Sequence, residues 1–404
     1  MTVTWEVTVT LTCGRVIMDF TLTDEQRMFQ KMFADFAEKE VKPIGEHTDQ
    51  QEEPPLEILQ KAAMQGFLGA LFPEEQGGVG LDFVSYVMLL EELARADITT
   101  AMTISVHNGL AGKTILDFGS AEQHEKYLEP MAFGEMIGAF ALTEPAAGSD
   151  AAALESTAVR DGDEYVLNGN KIWVSNGGIA GLFVVFAKTD PSAGARGISA
   201  FIVEKGTPGL KVGRREKTLG LRGLTITPLY MADCRVPAAN LLGQEGKGFK
   251  IALRALDVAR LSLSAVALGA CQRAVDEGIA FSMEHIQFGG PIALKQAIQN
   301  FVADSAAEIE GLRWVVYHTA WLADQGEPFG REAATAKLLA SEAAFRIANR
   351  MVQVHGGYGY MKEYAIERIY RDTRALPIIE GANEVLRFVI ARDLYDRAGL
   401  KIKP

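Results

Sequence analysis

Phe140-Ala141-Leu142-Thr143-Glu144-Pro145-Ala146-Ala147-Gly148-Ser149-Asp150 divides the chain into two textures. Before it, apolar residues recur at helical spacing; after it, they fall in short runs rich in Val, Ile and Phe. The stretch offers hydroxyls, small side chains and backbone N–H groups, which suit the polar edge of a cofactor. Read alone, an irregular domain linker is the commoner meaning of such a segment.

Upstream, Thr23-Asp24-Glu25-Gln26 has the form of a capping box, and Phe29, Met32, Phe33 and Phe36 follow at helical spacing until Pro43. Further helices are expected over 56–64, 83–94 and 104–118, so residues 19–137 read as an all-helical domain. Residues 1–18 alternate Val and Thr without the basic start and apolar block of a signal peptide. They read as a small edge strand or a leader ahead of a start at Met18, with no function assigned.

Downstream, strands are expected over 165–167, 172–174, 182–187 and 198–203. Asn168-Gly169 predicts a type I′ hairpin turn between the first two. No ten-residue helix intervenes, so residues 138–247 form a β domain with mainly antiparallel connections. Helical runs return at 249–285, 292–324, 331–354 and 383–398, each ended by Gly or Pro signals or by the chain itself. Residues 248–404 therefore read as a four-helix bundle, and the fold class is α+β.

Composition removes several function classes. The 404 residues carry 40 Lys+Arg against 52 Asp+Glu, a net charge of −12 that repels phosphate backbones and argues against nucleic acid. No apolar stretch is long enough to span a membrane. Cys13, Cys234 and Cys271 are scattered, which fits a reducing cytoplasm. The histidines and cysteines show no metal-ligand spacing. Gly243-Gln244-Glu245-Gly246-Lys247-Gly248 lacks the glycine spacing and the Ser/Thr of a P-loop.

Three junctions remain. Trp173-Val174-Ser175 sets a large aromatic beside a hydroxyl, although an isolated Trp is more often core. Gln353-Val354-His355-Gly356-Gly357-Tyr358-Gly359 closes a helix with more glycine than a cap needs, permitting close backbone approach to a ligand. Ile378-Ile379-Glu380-Gly381 places a carboxylate after an apolar pair, either as a helix N-terminal charge or as a base in an apolar cleft.

In their joint order, these motifs resemble the acyl-CoA dehydrogenase family of flavoproteins from about Asp19 to the C-terminus. Leu142-Thr143-Glu144-Pro145 with Gly148-Ser149-Asp150 is similar to one family signature. Gln353 with Gly356-Gly357, and Tyr370-Arg371-Asp372 with Ile379-Glu380-Gly381, are similar to the other. The resemblance implies FAD-dependent α,β-dehydrogenation of an acyl-CoA thioester by a cytoplasmic homotetramer, with electrons passed to an electron-transferring flavoprotein.

It implies that Phe140, Leu142, Thr143, Gly148 and Ser149, with Trp173, Val174 and Ser175, hold the flavin ring. His285, Phe288, Gln296, Gln353, Gly356 and Gly357 would reach the rest of FAD across a subunit interface, and Ala382, Asn383 and Glu384 would also lie on the cofactor. Ser149, Asp257, Arg260 and Gly381 would line the acyl-CoA. Glu380 would be the catalytic base, its backbone N–H helping to polarise the thioester carbonyl. Some branches carry the base near Asp257–Arg260, where this chain has Ala259.

His285 stands where the family commonly has Arg, and Ala382-Asn383 where it has Thr-Ser. Both departures imply weaker and more pH-dependent FAD retention. An oxygen-reoxidised oxidase and a flavin-free acyl-CoA-binding scaffold are the competing readings.

Overall fold

The computed structural model describes residues 8–10, 15–17 and 21–402. Thr8–Thr10 (β1) and Arg15–Ile17 (β2) pair antiparallel as a small sheet of their own, not at the edge of the main one. Met18 and Cys13 lie outside the described residues.

Helix α1 (Asp24–Phe36) starts at the capping box, with Gln26 N–H donating to Thr23 Oγ1 at 3.1 Å and Thr23 N–H returning a bond to Gln26 Oε1. Helical winding does not stop at Pro43. It passes through a π-turn (Ala37–Val41) into a 3-10 turn (Lys42–Ile44) that takes Pro43 in its first positions, where the missing N–H is harmless. Then come α2 (Gly45–Gln51), α3 (Leu56–Met64), α4 (Phe83–Ala96) and α5 (Ile98–Ser105). A π-segment (Val106–Gly112) separates α5 from α6 (Lys113–Phe118), and α7 (Ala121–Ala132) follows. The helix expected over 104–118 is thus three pieces.

The π-segment positions His107, which is fully buried. Its Nδ1 accepts from Gly138 N–H at 3.0 Å, so Nε2 carries the proton and donates to Leu68 O at 3.0 Å. This ring couples the helical region to the first strand of the main sheet.

That sheet comprises β3 (Gly138–Ala141), β4 (Thr157–Asp161), β5 (Glu164–Val174), β6 (Leu182–Lys188), β7 (Ile198–Glu204), β8 (Leu210–Val212), β9 (Thr227–Pro237) and β10 (Leu241–Leu242). Its order is β10-β7-β6-β4-β5-β9-β8, with β3 added against β6. Pairing is antiparallel except for β3 and β4 against β6.

β6 and β7 are buried on both faces, as their unbroken apolar runs require. Val184 and Phe186 face the helical core, while Phe183 and Val185 face a second core within the sheet domain.

Asn168-Gly169 is not a hairpin turn. β5 runs straight through it with a shift of register against β9. Asn168 is held across the ladder by Asp233, whose N–H donates to Asn168 Oδ1 at 2.8 Å, and Gly169 takes a positive φ of 144° with a Cβ position only 2.2 Å from Ser156 Oγ. The hairpin joins β4 to β5 at Gly162 instead, where φ is 62°.

Among the described residues the C-terminal region has five α-helices, α8 (Gly248–Glu284), α9 (Gln296–Asp324), α10 (Gly330–His355), α11 (Ala365–Thr373) and α12 (Asn383–Arg397). The four-helix expectation misses α11, a two-turn helix too short for its periodicity to stand out. A strand pair, β11 (Ile286–Gln287) and β12 (Gly290–Pro291), joins α8 to α9.

Helix α4 packs on α8 and α9, so N- and C-terminal helices share one core. Gly269 permits this approach, since a Cβ there would lie 2.1 Å from Glu91 O. Among the described residues, no helix is long and apolar enough to cross a membrane.

Candidate active site

Glu380 and Gly381 sit in the turn before α12, both with positive φ, at 55° and 100°. A left-handed glutamate costs on the order of 1 kcal/mol or more and persists only where its surroundings impose it. Three side chains supply that constraint. Arg260 of α8 is buried, donates from Nε to Glu380 O at 3.4 Å and pairs with Asp257 at 3.1 Å. Lys337 of α10 is fully buried and donates to Gly381 O at 2.8 Å and to Asn383 Oδ1 at 2.9 Å. Asn383 Nδ2 in turn donates to Ser341 Oγ at 3.1 Å.

The structure therefore brings Asp257, Arg260, Glu380 and Gly381 together. It turns the Asn383 amide inward, onto Lys337 and Ser341.

The Glu380 carboxylate makes no matching bond. Oε2 is sealed from solvent and has no hydrogen-bond partner among the described residues. Burial pushes this carboxyl up to about 8, against the opposing pull of Lys337 and Arg260. Burial also brings Lys337 down to about 8, although Glu380 favours its charged form. The backbone N–H of Glu380 donates to no group among the described residues.

On the helix that carries Arg260, Ala255 and Ala259 meet Val106 and Leu110 of the π-segment, with Phe140 packed against them. Tyr86 is fully buried, with Ser262 and Ser105 beside its hydroxyl, and Glu380 is one of the charges acting on it.

The first signature divides into scaffold and surface. Glu144 is buried and takes Lys171 Nζ at 2.6 Å and Ser156 N–H at 3.0 Å, while Lys171 also donates to Leu142 O at 3.2 Å. Although burial opposes ionisation, Lys171 and these donors hold Glu144 below the usual carboxylate range. Leu142 and Val174 are core, Phe140, Thr143 and Ser175 are half-buried, and Gly148 and Ser149 are exposed.

Trp173 is 63% exposed and left-handed, with φ 56°, at an irregularity in the β5–β9 ladder. A large aromatic held out of the core in a strained conformation is a surface prepared for a partner.

Arg371 of the second signature is also scaffold. It clamps Asp49 of α2 at 2.6 Å and Glu367 at 2.7 Å. Asp372 accepts from Leu221 N–H at 2.6 Å, and burial pushes its carboxyl up to about 7.

His285, Phe288, Gln296, Gln353, Gly356 and Gly357 gather elsewhere, at the far end of α8. His285 stacks on Phe281 at 4.9 Å and meets Tyr358 edge-on at 5.6 Å. Phe288 is 93% exposed at the tip of the β11–β12 turn, again left-handed at φ 51°. Gln296, Gln353, Gly356 and Gly357 are exposed. A Cβ on Gly148 or Gly357 would meet nothing within 4 Å, so this chain alone does not require their bareness, whereas Gly356 has open space but a left-handed φ of 59° that favours glycine.

From Arg260 to His285 is 25 residues of one helix, roughly 38 Å at 1.5 Å per residue. The second cluster therefore lies at the C-terminal end of α8, far along the helix from the turn that Arg260 holds. Among the described residues, no three His, Cys, Asp or Glu side chains gather as a metal site.

The models for the N-terminal, middle and C-terminal domains of acyl-CoA dehydrogenase match residues 23–135, 139–234 and 246–395. The fold is thus that of a class of flavin-dependent oxidoreductases. The chain is 46% identical to the acryloyl-CoA reductase (NADH) of Anaerotignum propionicum over 94% of its length and 97% of the relative's. It is 43% identical to the short-chain specific acyl-CoA dehydrogenase of Clostridium acetobutylicum, covering 94% and 100%. The butyryl-CoA dehydrogenase structure from Megasphaera elsdenii superposes with TM-score 0.91 at 41% identity, covering 94% and 100%. The chain belongs to the acyl-CoA dehydrogenase family.

Sequence reasoning missed Lys337, Lys171 and Tyr86. Lys337 had a signal, since it falls on the Ala333, Ala336, Ala340 and Ala344 stripe of α10, where a lysine must be buried and paired.

Proposed function

We propose that this chain dehydrogenates a short acyl-CoA thioester between Cα and Cβ, with Glu380 as the base. The observation that carries this reading is the sealed, unpartnered Oε2 of Glu380, on a turn that Arg260 ties to α8, the helix that also carries Ala255 and Ala259. An acyl chain laid against these alanines places its α-hydrogen at a carboxylate that no group of the chain occupies. The C–H bond breaks, its proton goes to Glu380, and the electron pair moves into the thioester carbonyl. The free Glu380 N–H faces the resulting oxyanion.

Trp173 and the exposed 148–149 loop would hold the ring of FAD, which would supply the acceptor for the β-hydrogen. The bare glycines and exposed Trp173 fit such a cofactor. Its distal half needs the His285–Gly357 cluster, which one chain places far along α8 from Arg260, so a second copy completes the site. Phe288, Tyr360 and Leu294, at 93%, 84% and 70% exposure, give that copy an apolar surface to cover. We assign a homotetramer, a cytoplasmic location and an electron-transferring flavoprotein as acceptor on the same reading.

A second reading concerns direction. A carboxyl pushed up to about 8 is largely protonated at neutral pH and can return a proton to Cα. The relative named acryloyl-CoA reductase supports reduction of the enoyl thioester by the same site. Anaerobic addition of butyryl-CoA to the purified protein tests the main reading. Bleaching of the flavin band with formation of crotonyl-CoA supports it, and a band unchanged by saturating thioester refutes it.

A further inference from the structure

We infer that Lys337 is a positioning residue for Glu380: its buried ammonium ties Gly381 O to Asn383 and holds the left-handed turn that aims the carboxylate. The inference rests on the assignment of Glu380 as base and adds the device that keeps it usable.

The turn has no regular structure to hold it, and two successive residues with positive φ favour relaxation towards ordinary backbone. The Lys337 bond to Gly381 O at 2.8 Å opposes that relaxation. Asn383 Oδ1, at 2.9 Å, fixes the second direction of the ammonium, and Asn383 is itself locked by Ser341, one turn along α10 from Lys337. Lys337 is fully enclosed and, among the described residues, forms no close ion pair with a carboxylate, its bonds going to Gly381 O and Asn383 Oδ1. A buried cation bonded only to neutral oxygens leaves its charge available to the nearest carboxylate.

The charged and titratable groups facing the pair are Arg260 and Asp257 from α8, Glu342 from α10, Glu384 from α12 and Tyr86 from α4. Of the cations, Arg260 is already paired with Asp257. Lys337 therefore gives the turn both its geometry and a field that favours the ionised base.

The test uses the FAD-loaded enzyme with Lys337→Met, Lys337→Gln and Lys337→Arg. Two quantities are followed against pH: the rate of flavin reduction by butyryl-CoA, and the melting temperature without substrate. In Lys337→Met, the pH midpoint of reduction should rise by about one unit or more, the shift expected from losing a close opposite charge. The rate at pH 7 should fall about tenfold or more with it. The melting-temperature profile should move in the same direction.

Lys337→Gln can still donate to Gly381 O without charge, so it should show the raised midpoint with a smaller loss of limiting rate. It serves alone if the Met variant does not fold. Lys337→Arg should return the midpoint towards that of the wild type. A slower enzyme with an unmoved midpoint in both neutral variants would overturn the inference. Full reduction by Glu380→Gln would instead overturn the base assignment beneath it.

Discussion

Lys171 donates to Glu144 at 2.6 Å with neither side chain reaching solvent, so the carboxylate of the first signature is a structural anchor. It joins β5 to the loop that leads into β4 and fixes Leu142 O, which shapes the strip beside Trp173. Glu144→Gln leaves the ammonium buried without a counter-charge and should destabilise the protein by about 3–5 kcal/mol. The double variant Glu144→Leu/Lys171→Met should recover much of that loss. Urea unfolding of the three proteins measures it, and additive losses in the double variant would contradict the pairing.

His107 links the helical region to the sheet only in its neutral form, because Nδ1 must accept from Gly138 N–H. Burial depresses its folded pKa to about 4, below the ~6.5 of an unfolded histidine. Between those values the unfolded chain binds more protons. His107 therefore costs stability progressively as pH falls from about 6.5 to about 4, reaching roughly 3 kcal/mol. His107→Gln should flatten the pH dependence of unfolding in that window, whatever it costs at pH 7. An unchanged slope would show that other groups carry the acid sensitivity.

The glycines and Phe288 at the far end of α8 are bare on this chain, so changes there should spare the isolated fold and damage the assembled one. Phe288→Ala should weaken FAD retention about tenfold, the loss of one aromatic stacking contact of roughly 1–1.5 kcal/mol. Gly357→Val should weaken it further by blocking close approach. Flavin release measured by gel filtration and absorbance decides this, with light scattering for assembly. Wild-type retention in both variants would remove the second-copy argument.

Local signals in the sequence were strong where one element decided its own form. The capping box at Thr23, the double-sided burial of β6 and β7 and the length of α8 all follow from short-range pattern. Asn168-Gly169 misled because cross-strand bonds to Asp233 outweigh the turn preference of two residues. Helix α11 was invisible for its shortness.

At the site, motif order pointed to Glu380, Arg260 and Asp257, which the fold brings together, but could not separate scaffold from chemistry. Glu144, Arg371 and Asn383 turn inward onto partners 27, 322 and 42 residues away, and sequence spacing carries no trace of such contacts.

Glu380 should also leave a thermodynamic mark. Its folded pKa of about 8 lies above the unfolded value, so the native state holds the proton more tightly between them. Stability is then lost as pH rises towards 8. Glu380→Gln should melt higher than wild type at pH 9, by an amount on the order of 2–4 kcal/mol, and nearly alike at pH 5. Parallel melting profiles across that range would place the raised group elsewhere.

The most direct test of the account is anaerobic rapid mixing of FAD-loaded Glu380→Gln with butyryl-CoA, beside wild type. The amide preserves shape but cannot take the α-proton, so flavin bleaching should slow by ~10²–10⁴-fold while FAD content stays the same. Bleaching at a near-wild-type rate would contradict the account, because some other group would then be removing the proton.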